Sequence, residues 1–159
     1  MRRAGRGITS LEILLTIALF GVALGTVSIT LSTFRSRNAL KDGTAAVIGA
    51  LRRAETQALS GHFGDRWGVH FSDGEGCALP ATKIHVFRGQ GFVSATDTTE
   101  SIDLPAGVQL TGVAVGGGCD VKFSRFHGAA TSTGAITLTN LNGATSTVAI
   151  NAYGRVVEE

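Results

Sequence analysis

The two cysteines offer the simplest chemistry in the sequence. Cys77 and Cys119 are the only cysteines among 159 residues, and both lie beyond the apolar segment near the N-terminus. An even pair placed in loops predicts a disulfide in an oxidising compartment. Closing a loop of about 43 residues would stabilise the fold by about 4 kcal/mol in the loop-entropy account. Two free buried thiols are the alternative, which a non-oxidising compartment would favour.

The histidines and one acidic loop offer little for metal or catalytic chemistry. His62, His70, His85 and His127 lack a close metal-ligand spacing, and a two-histidine zinc site is the only alternative they leave open. The loop Asp73-Gly74-Glu75 supplies too few oxygen ligands for a calcium-binding loop. The chain has no Gly-x-Ser-x-Gly elbow, phosphate-binding loop or His-Glu-x-x-His motif. The sequence therefore predicts no enzymatic activity, no cofactor and no metal.

A run of 22 uncharged residues, from Ile13 to Phe34, dominates the N-terminal part of the chain. As a helix this run would extend about 33 Å and could cross the hydrocarbon core of a bilayer. Arg2, Arg3 and Arg6 precede it, so the positive-inside rule predicts a cytoplasmic N-terminus. A cleaved signal peptide is the alternative, but its apolar region usually covers about 7–15 residues and ends at an Ala-x-Ala-like site.

Glu12 stands at the start of this apolar run. A carboxylate that enters a bilayer costs a few kcal/mol unless it is paired or protonated. One interpretation places Glu12 at the level of the lipid headgroups, where this cost is small. The other interpretation gives the carboxylate a positively charged partner, and the residues that precede Glu12 indicate what that partner is.

The short basic leader, Gly7, Ile8 and the segment Thr9-Ser10-Leu11-Glu12 before a long apolar helix resemble the leader of type IV prepilins and pseudopilins. The resemblance implies cleavage after Gly7 by prepilin peptidase and N-methylation of Ile8, where Phe is the commonest residue of the family. It also implies that Glu12 neutralises the new α-amine of Ile8, within the subunit or on a neighbour during filament assembly. The two groups lie four residues apart, on one helix face.

The helical pattern continues beyond the apolar run and predicts a helix from about residue 8 to residue 60, ending near Gly61 and Gly64. Within the run, Gly21 and Gly25 form a Gly-x-x-x-Gly pair, which suits close helix packing but is equally compatible with tolerated glycines. Beyond the run, apolar residues recur at intervals of three, four and seven, which define one helix face. That face comprises Leu40, Val47, Leu51, Ala54 and Ala58.

The last hundred residues alternate apolar and polar side chains in short runs, a pattern typical of half-buried antiparallel strands. We expect strands at 66–71, 84–86, 121–123, 135–138 and 147–150. Asn142-Gly143 predicts the turn of a hairpin between the last two. His70 and His85 each interrupt an apolar alternation, so we expect both to face solvent on adjacent strands.

These elements predict an α+β fold in which a long N-terminal helix packs on an antiparallel β-sheet head, as in type IV pilins. The first half of the helix would span the membrane and the second half would be amphipathic. The expected divisions are a cleaved leader at 1–7, a transmembrane and assembly half at 8–34, an amphipathic half at 35–60, and a β-rich head at 61–159. Within the head, the order of four segments resembles the C-terminal signature of H-type minor pseudopilins: 126–128, 134–138, 148–150 and 153–156.

The resemblance implies a minor pseudopilin, a structural subunit of the inner-membrane-anchored pseudopilus of a type II protein secretion system. Its implied partners are other pseudopilins or pilins, prepilin peptidase and the inner-membrane assembly platform. The implied location is the bacterial inner membrane, crossed once, with the head outside the cytoplasm.

Two other functions are weighed against this one. A minor type IV pilin for pilus assembly or DNA uptake would need a basic patch on the head. Removal of three leader arginines leaves 11 basic against 12 acidic residues, so nucleic acid is not an expected partner. A membrane-tethered hydrolase would need a converged pocket. The basic residues of the head are Arg66, Lys83, Arg88, Lys122, Arg125 and Arg155.

Overall fold

The computed structural model describes residues 9–61, 65–74, 76–92, 98–116 and 118–158, without the side chains of residues 26–31 and 98. The chain divides into two compact units, Met1–Arg35 and Ser36–Glu159. One helix, α1, covers Ser10–Ser60. Eight strands follow within the described residues: β1 (Trp67–His70), β2 (Lys83–Arg88), β3 (Thr98–Asp103), β4 (Val108–Val115), β5 (Asp120–Phe123), β6 (Gly134–Asn140), β7 (Thr145–Ile150) and β8 (Val156–Glu158).

The first unit contains the N-terminal part of α1, which begins at a capping residue. The Thr9 hydroxyl oxygen accepts a hydrogen bond from the Glu12 backbone N–H at 3.3 Å, as expected of a threonine at the N-cap. Glu12 is the acidic residue of the first turn, where a negative charge is favourable beside the helix dipole. The large apolar side chains described in this unit, from Leu11 to Leu24, are exposed.

In the second unit, residues 36–60 of α1 bury one face. All five positions of the predicted face are buried, which confirms this part of the sequence prediction: Leu40, Val47, Leu51, Ala54 and Ala58. The face also includes Thr44, whose hydroxyl donates to the Leu40 carbonyl at 2.9 Å and contacts the Ser146 hydroxyl at 3.0 Å. The helix ends at Ser60, and the next residue, Gly61, has a φ of +63°.

The strands form two antiparallel sheets of four strands each within the described residues. Sheet A has the order β3-β2-β1-β5, and sheet B has the order β4-β6-β7-β8. The predicted hairpin joins β6 and β7 and turns at Asn142-Gly143, with Gly143 at a φ of +76°. The Asn140 side-chain oxygen holds this turn by accepting the N–H groups of Asn142 and Ala144 at 3.0 and 2.9 Å.

Each of the five expected strand segments overlaps an observed strand. The strands β3 and β4 were not predicted, and β8 overlaps only the last of the signature-like segments, 153–156. The sequence of β3 is TTESID, which has one large apolar residue and lies at the edge of sheet A. In β4 the pairing register shifts between Leu110 and Gly112, so the alternation of period two is broken. These two features explain why periodicity alone misses both strands.

The main core lies where residues 36–60 of α1 meet both sheets. Leu51 of the helix belongs to the same buried cluster as Val69 and Phe123 of sheet A and Leu110 and Leu138 of sheet B. Apolar side chains from one helix and two sheets therefore share a single core in the second unit.

The predicted fold class, a long helix with a membrane-spanning first half packed on one antiparallel sheet, is wrong. The strands form two sheets rather than one. The helix is divided between two compact units, and only its residues from Ser36 onward belong to the unit that contains the sheets. The long apolar run favoured one continuous helix on one sheet, because periodicity predicts a helix but does not show which elements pack against it.

The predicted single-pass location in a bacterial inner membrane is also wrong. Among the residues described, no helix is both long enough and apolar enough to span a bilayer. The prediction that this half of the helix spans the membrane is therefore wrong as well.

Leu51→Ala tests whether the helix holds the two sheets together. Leu51 is buried in the main core, so we expect the free energy of unfolding to fall by about 2–5 kcal/mol. Leu141→Ala is the matched control, since Leu141 is 83% exposed and its truncation should change stability by less than about 0.5 kcal/mol. Urea denaturation followed by circular dichroism measures both. Equal losses in the two variants would contradict the packing described.

Candidate functional site

The register of sheet A places two imidazoles and a carboxylate side by side. Trp67 and Val69 of β1 point into the main core, so the alternate residue His70 lies on the opposite face. His70 pairs with His85 on β2 and with Asp120 on β5. These three residues therefore form a row across three strands, on the face of sheet A that does not contact the main core.

Two phenylalanines complete this site, and we name His70, His85, Phe87, Phe92 and Asp120 the outer-face cluster. The Phe92 ring stacks on His70 at 4.2 Å between centroids with 12° between planes, and its centroid lies 5.2 Å from that of His85. Phe87 approaches Phe92 edge-on at 6.0 Å. The cluster is a small aromatic core of its own.

Gly68 provides the space for one of these rings. A Cβ atom at this position would lie 2.7 Å from Cζ of Phe87 and 2.7 Å from the carbonyl oxygen of Val121. Such contacts are shorter than real side chains allow, so the central strand of the sheet needs glycine beneath the Phe87 ring.

His70 is the best-connected member of the cluster. Its Nδ1 lies 2.6 Å from Asp120 Oδ1, and its Nε2 lies 2.8 Å from the carbonyl oxygen of Gly74. Both partners are acceptor oxygens, so both ring nitrogens are placed to donate hydrogen bonds. With both nitrogens engaged, the ring has no free lone pair with which to take a proton from a nucleophile.

Asp120 supplies the negative charge of the cluster. Its side chain is 24% exposed, and its Oδ2 accepts the Phe92 backbone N–H at 3.2 Å. Burial by itself raises the pKa of this carboxyl group. The hydrogen bonds from His70 and Phe92 and the positive charges of His70 and Lys122 outweigh burial, and the pKa of Asp120 lies below its ordinary value. The carboxylate is therefore ionised and anchors two segments of the chain.

His85 has the opposite character. Both of its ring nitrogens are buried without a hydrogen-bond partner. Burial lowers the pKa of His85 below its ordinary value, the positive charges of His70 and Lys83 lower it further, and Asp73 and Asp103 offset part of this effect. The ring is therefore neutral at pH 7, and its single N–H donor remains unsatisfied, which costs about 1–3 kcal/mol.

The structure joins the two cysteines that the sequence analysis paired. Cys77 and Cys119 form a disulfide with their Cα atoms 5.4 Å apart. Cys119 directly precedes Asp120, and its carbonyl accepts the Phe71 backbone N–H at 2.9 Å. The disulfide therefore fastens the loop after β1 to the start of β5. This loop also carries Gly74, the acceptor of His70.

A groove of about 540 Å³ opens beside the disulfide. It is lined by both cysteines and by His70, Phe92, Asp120 and Lys122, among others. Lys122 is already engaged, since its ammonium group donates to the Gln90 carbonyl at 3.0 Å. The polar groups of the groove are thus bonded mainly to one another and to the backbone.

The solvent-facing position predicted for His70 is wrong, and the roles of Asp120 and Phe92 were not predicted. His70 is 3% exposed. The prediction assumed that one face of β1 is solvated, but all four residues of this strand are buried. The available signal was Asp120 directly after the cysteine, yet pairing it with His70 requires a strand register that the sequence does not show.

Asp73 and His127, two of the residues considered for metal binding, hold other partners. Asp73 Oδ1 accepts the backbone N–H groups of Thr82 and Lys83, each at 2.7 Å. His127 contacts the Arg125 carbonyl at 3.1 Å on a separate turn. No group of three or more His, Cys, Asp or Glu side chains that could hold a metal ion occurs in the part of the chain described. His62 and Glu75 lie outside the described residues.

The basic residues weighed for DNA binding are spread over the second unit, and several face carboxylates. Lys83 lies 3.6 Å from Asp103, and Arg88 lies 3.5 Å from Asp65. Arg125 lies over the Phe126 ring at 4.3 Å. These pairings leave less uncompensated positive charge than the sequence alone indicates.

The residues assigned to processing and assembly belong to the range of the first unit, Met1–Arg35. Gly7 and Ile8, the predicted cleavage and methylation positions, lie outside the described residues. Glu12 is described, and its side chain is exposed. A Cβ atom added at Gly21 or Gly25 would meet no atom within 4 Å, so both glycines face open space.

Two turns of the signature-like C-terminal segments converge on the end of α1. Phe126 has a φ of +64°, an uncommon conformation for an aromatic residue, and its backbone N–H donates to the Ala58 carbonyl at 3.0 Å. A Cβ atom at Gly154 would lie 2.5 Å from the Gly128 carbonyl oxygen. Three apolar side chains at the end of α1 and on these two turns are exposed: Leu59, Phe126 and Tyr153.

Comparisons of the chain with protein-family models, with curated proteins and with solved structures give no match.

Reduction of the disulfide should destabilise the second unit. The Cys77–Cys119 link closes a loop with a separation of 42 residues, so we expect its removal to lower the free energy of unfolding by about 2–4 kcal/mol. Alkylation with and without prior reduction, read by intact mass, establishes that both sulfurs are oxidised. Denaturation with and without reductant then measures the stability. A free energy of unfolding that the reductant does not change would refute this expectation. Alkylation of the cysteines without prior reduction would also refute it.

Asp120→Ala should destabilise the outer-face cluster. It leaves His70 Nδ1 and the Phe92 N–H without an acceptor, at about 1–3 kcal/mol for each buried donor. Because the pKa of Asp120 is lowered in the fold, its contribution is present above the ordinary value of 3.8 and is lost as the pH falls through the folded value.

Asp103→Ala is the matched control for this substitution. Asp103 faces Lys83 with a side chain that is 76% exposed, so its removal should cost at most about 1 kcal/mol. Denaturation at pH 7 and at pH 3 compares the two variants. An Asp120 variant that loses no more stability at pH 7 than the Asp103 variant would rule out the anchoring role.

Proposed function

We propose that the chain is a minor pseudopilin, a structural subunit of the filament of a type II protein secretion system. The residues at 10–25 would contact the equivalent helices of neighbouring subunits, and the β-rich second unit would form the surface. A single-pass membrane location is no part of this function, because the described helix does not meet the requirement for one.

The main support is the exposure of the apolar side chains in the first unit. Leu11, Leu14, Phe20 and Leu24 are 67–76% exposed. Exposed apolar patches of this kind mark interaction sites. Helices of the same composition would cover them, and two features of the segment favour such partners.

The first feature is the pair of glycines. Gly21 and Gly25 have open space where a Cβ atom would stand, so a second helix can approach the backbone closely there. The second is Glu12, an exposed carboxylate at the beginning of the apolar segment. In the family that the leader resembles, this acid neutralises the α-amine of a processed chain. In a bundle of helices, either charge without the other is costly.

The second unit offers a surface for lateral contacts. Phe126 and Tyr153 are 58% and 83% exposed, and aromatic side chains are enriched at protein interfaces. The partners proposed are therefore other pseudopilins or pilins, with prepilin peptidase as the processing enzyme. The alternative of a minor type IV pilin shares the same assembly chemistry. Its DNA-uptake variant receives less support, since Lys83 and Arg88 face carboxylates.

Glu12→Ala tests the proposed assembly directly. If Glu12 neutralises a neighbour's α-amine, its removal should lower incorporation into filaments at least about tenfold, which corresponds to about 1.4 kcal/mol. The fraction of the full chain in sheared filaments, in cells that carry the assembly machinery, measures incorporation. N-terminal sequencing of the same material shows whether the chain begins at Ile8.

Glu158→Ala is the control, because it removes an acid from the last strand and leaves the helix unchanged. Normal incorporation of Glu12→Ala would rule out the role of this residue. A filament-associated chain that still begins at Met1 would refute the processing step. Absence of the wild-type chain from every filament fraction would refute the proposed function itself.

A further inference from the structure

The outer-face cluster has no part in the proposed assembly, yet its two histidines are arranged in opposite ways. His70 donates from both ring nitrogens to acceptor oxygens, whereas both ring nitrogens of His85 are buried without a partner. The two ring centroids are only 6.3 Å apart. The site thus provides partners for both ring nitrogens of one imidazole and for neither nitrogen of the other.

We propose that His85 and His70 form an acid-sensitive latch, in which protonation of His85 releases the Phe92 ring from sheet A. Phe92 covers both imidazoles, and its backbone N–H donates to Asp120 Oδ2 on β5. The latch uses only residues of the second unit and does not depend on the filament function.

The groups around His85 do not accommodate a proton on its ring. On its own strand lies Lys83, and on β1 lies His70, whose two ring nitrogens already face acceptor oxygens. Asp73 is occupied by two backbone N–H groups, and Asp103 faces Lys83. Asp120 is turned to His70 and Phe92. A proton on His85 would therefore add an unpaired charge to a desolvated site.

Displacement of Phe92 is the smallest change that would relieve this charge. The ring stacks on His70 and lies over His85, so its departure would admit water to both imidazoles. It would cost one backbone hydrogen bond, from the Phe92 N–H to Asp120 Oδ2. The His70–Asp120 hydrogen bond and the disulfide do not involve Phe92, so both would be kept.

The sign of the pH dependence follows from the lowered pKa of His85. Between the folded value and the ordinary value of 6.5, the unfolded chain binds more protons than the folded chain. Stability from this residue is therefore fully present above about pH 6.5 and is lost as the pH falls through the folded pKa. This window lies above the one in which Asp120 becomes protonated.

Hydrogen exchange of the Phe92 amide on the full chain tests the latch, since this N–H donates to Asp120. NMR titration of the histidine ring protons in the same samples reports the protonation of His85. We expect the protection factor of the Phe92 amide to fall at least about tenfold from pH 7 to pH 5, with the midpoint of the His85 titration. In His85→Phe, which keeps an aromatic ring and removes the titrating group, the protection should persist to pH 5.

His127→Phe is the matched control, because His127 lies on an exposed turn away from sheet A and should leave the wild-type pH profile unchanged. Two results would overturn the proposal. One is a Phe92 amide that stays protected while His85 titrates, a result that needs no variant. The other is loss of protection in His85→Phe at the wild-type pH, with circular dichroism showing that the variant is folded.

Discussion

The buried face of α1 from Leu40 to Ala58 is the interaction on which the second unit depends. Sheet A and sheet B each present apolar residues to it, among them Val69 and Leu138. A sheet that is apolar on one side must bury that side against another layer, and here one helix serves both sheets. Each fully buried side chain of this size contributes about 1.5–3 kcal/mol, so the contact outweighs any single polar interaction of the fold.

The other face of sheet A is covered in a different way. Aromatic rings and a histidine–aspartate pair replace aliphatic packing there, and the disulfide fastens the adjoining loop. Stability on this face therefore depends on the charge state of a few groups, whereas the main core depends on buried area. This difference places a pH-sensitive site in the outer-face cluster.

Local patterns in the sequence were sufficient for some features and insufficient for others. The spacing of Leu40, Val47 and Leu51 defines a helix face, and Asn142-Gly143 defines a turn, because both depend on neighbours in the chain. The burial of His70 depends on β1 pairing with β5, about fifty residues away, and on Phe92 lying over it. The membrane prediction rested on the length and hydropathy of one run, and no helix of the described residues meets the requirement for a span.

The central functional claim is that helices of related subunits cover the exposed apolar residues at 10–25. Photo-crosslinking in the cells of origin tests it directly, with benzoylphenylalanine in place of Leu14 or Phe20 in the full chain. Leu141, which is more exposed than either, is the control position. The account predicts adducts from the two helix positions with short chains that carry an apolar N-terminal helix and an acid equivalent to Glu12, and none from Leu141. Protein adducts no more frequent than at Leu141 would contradict it.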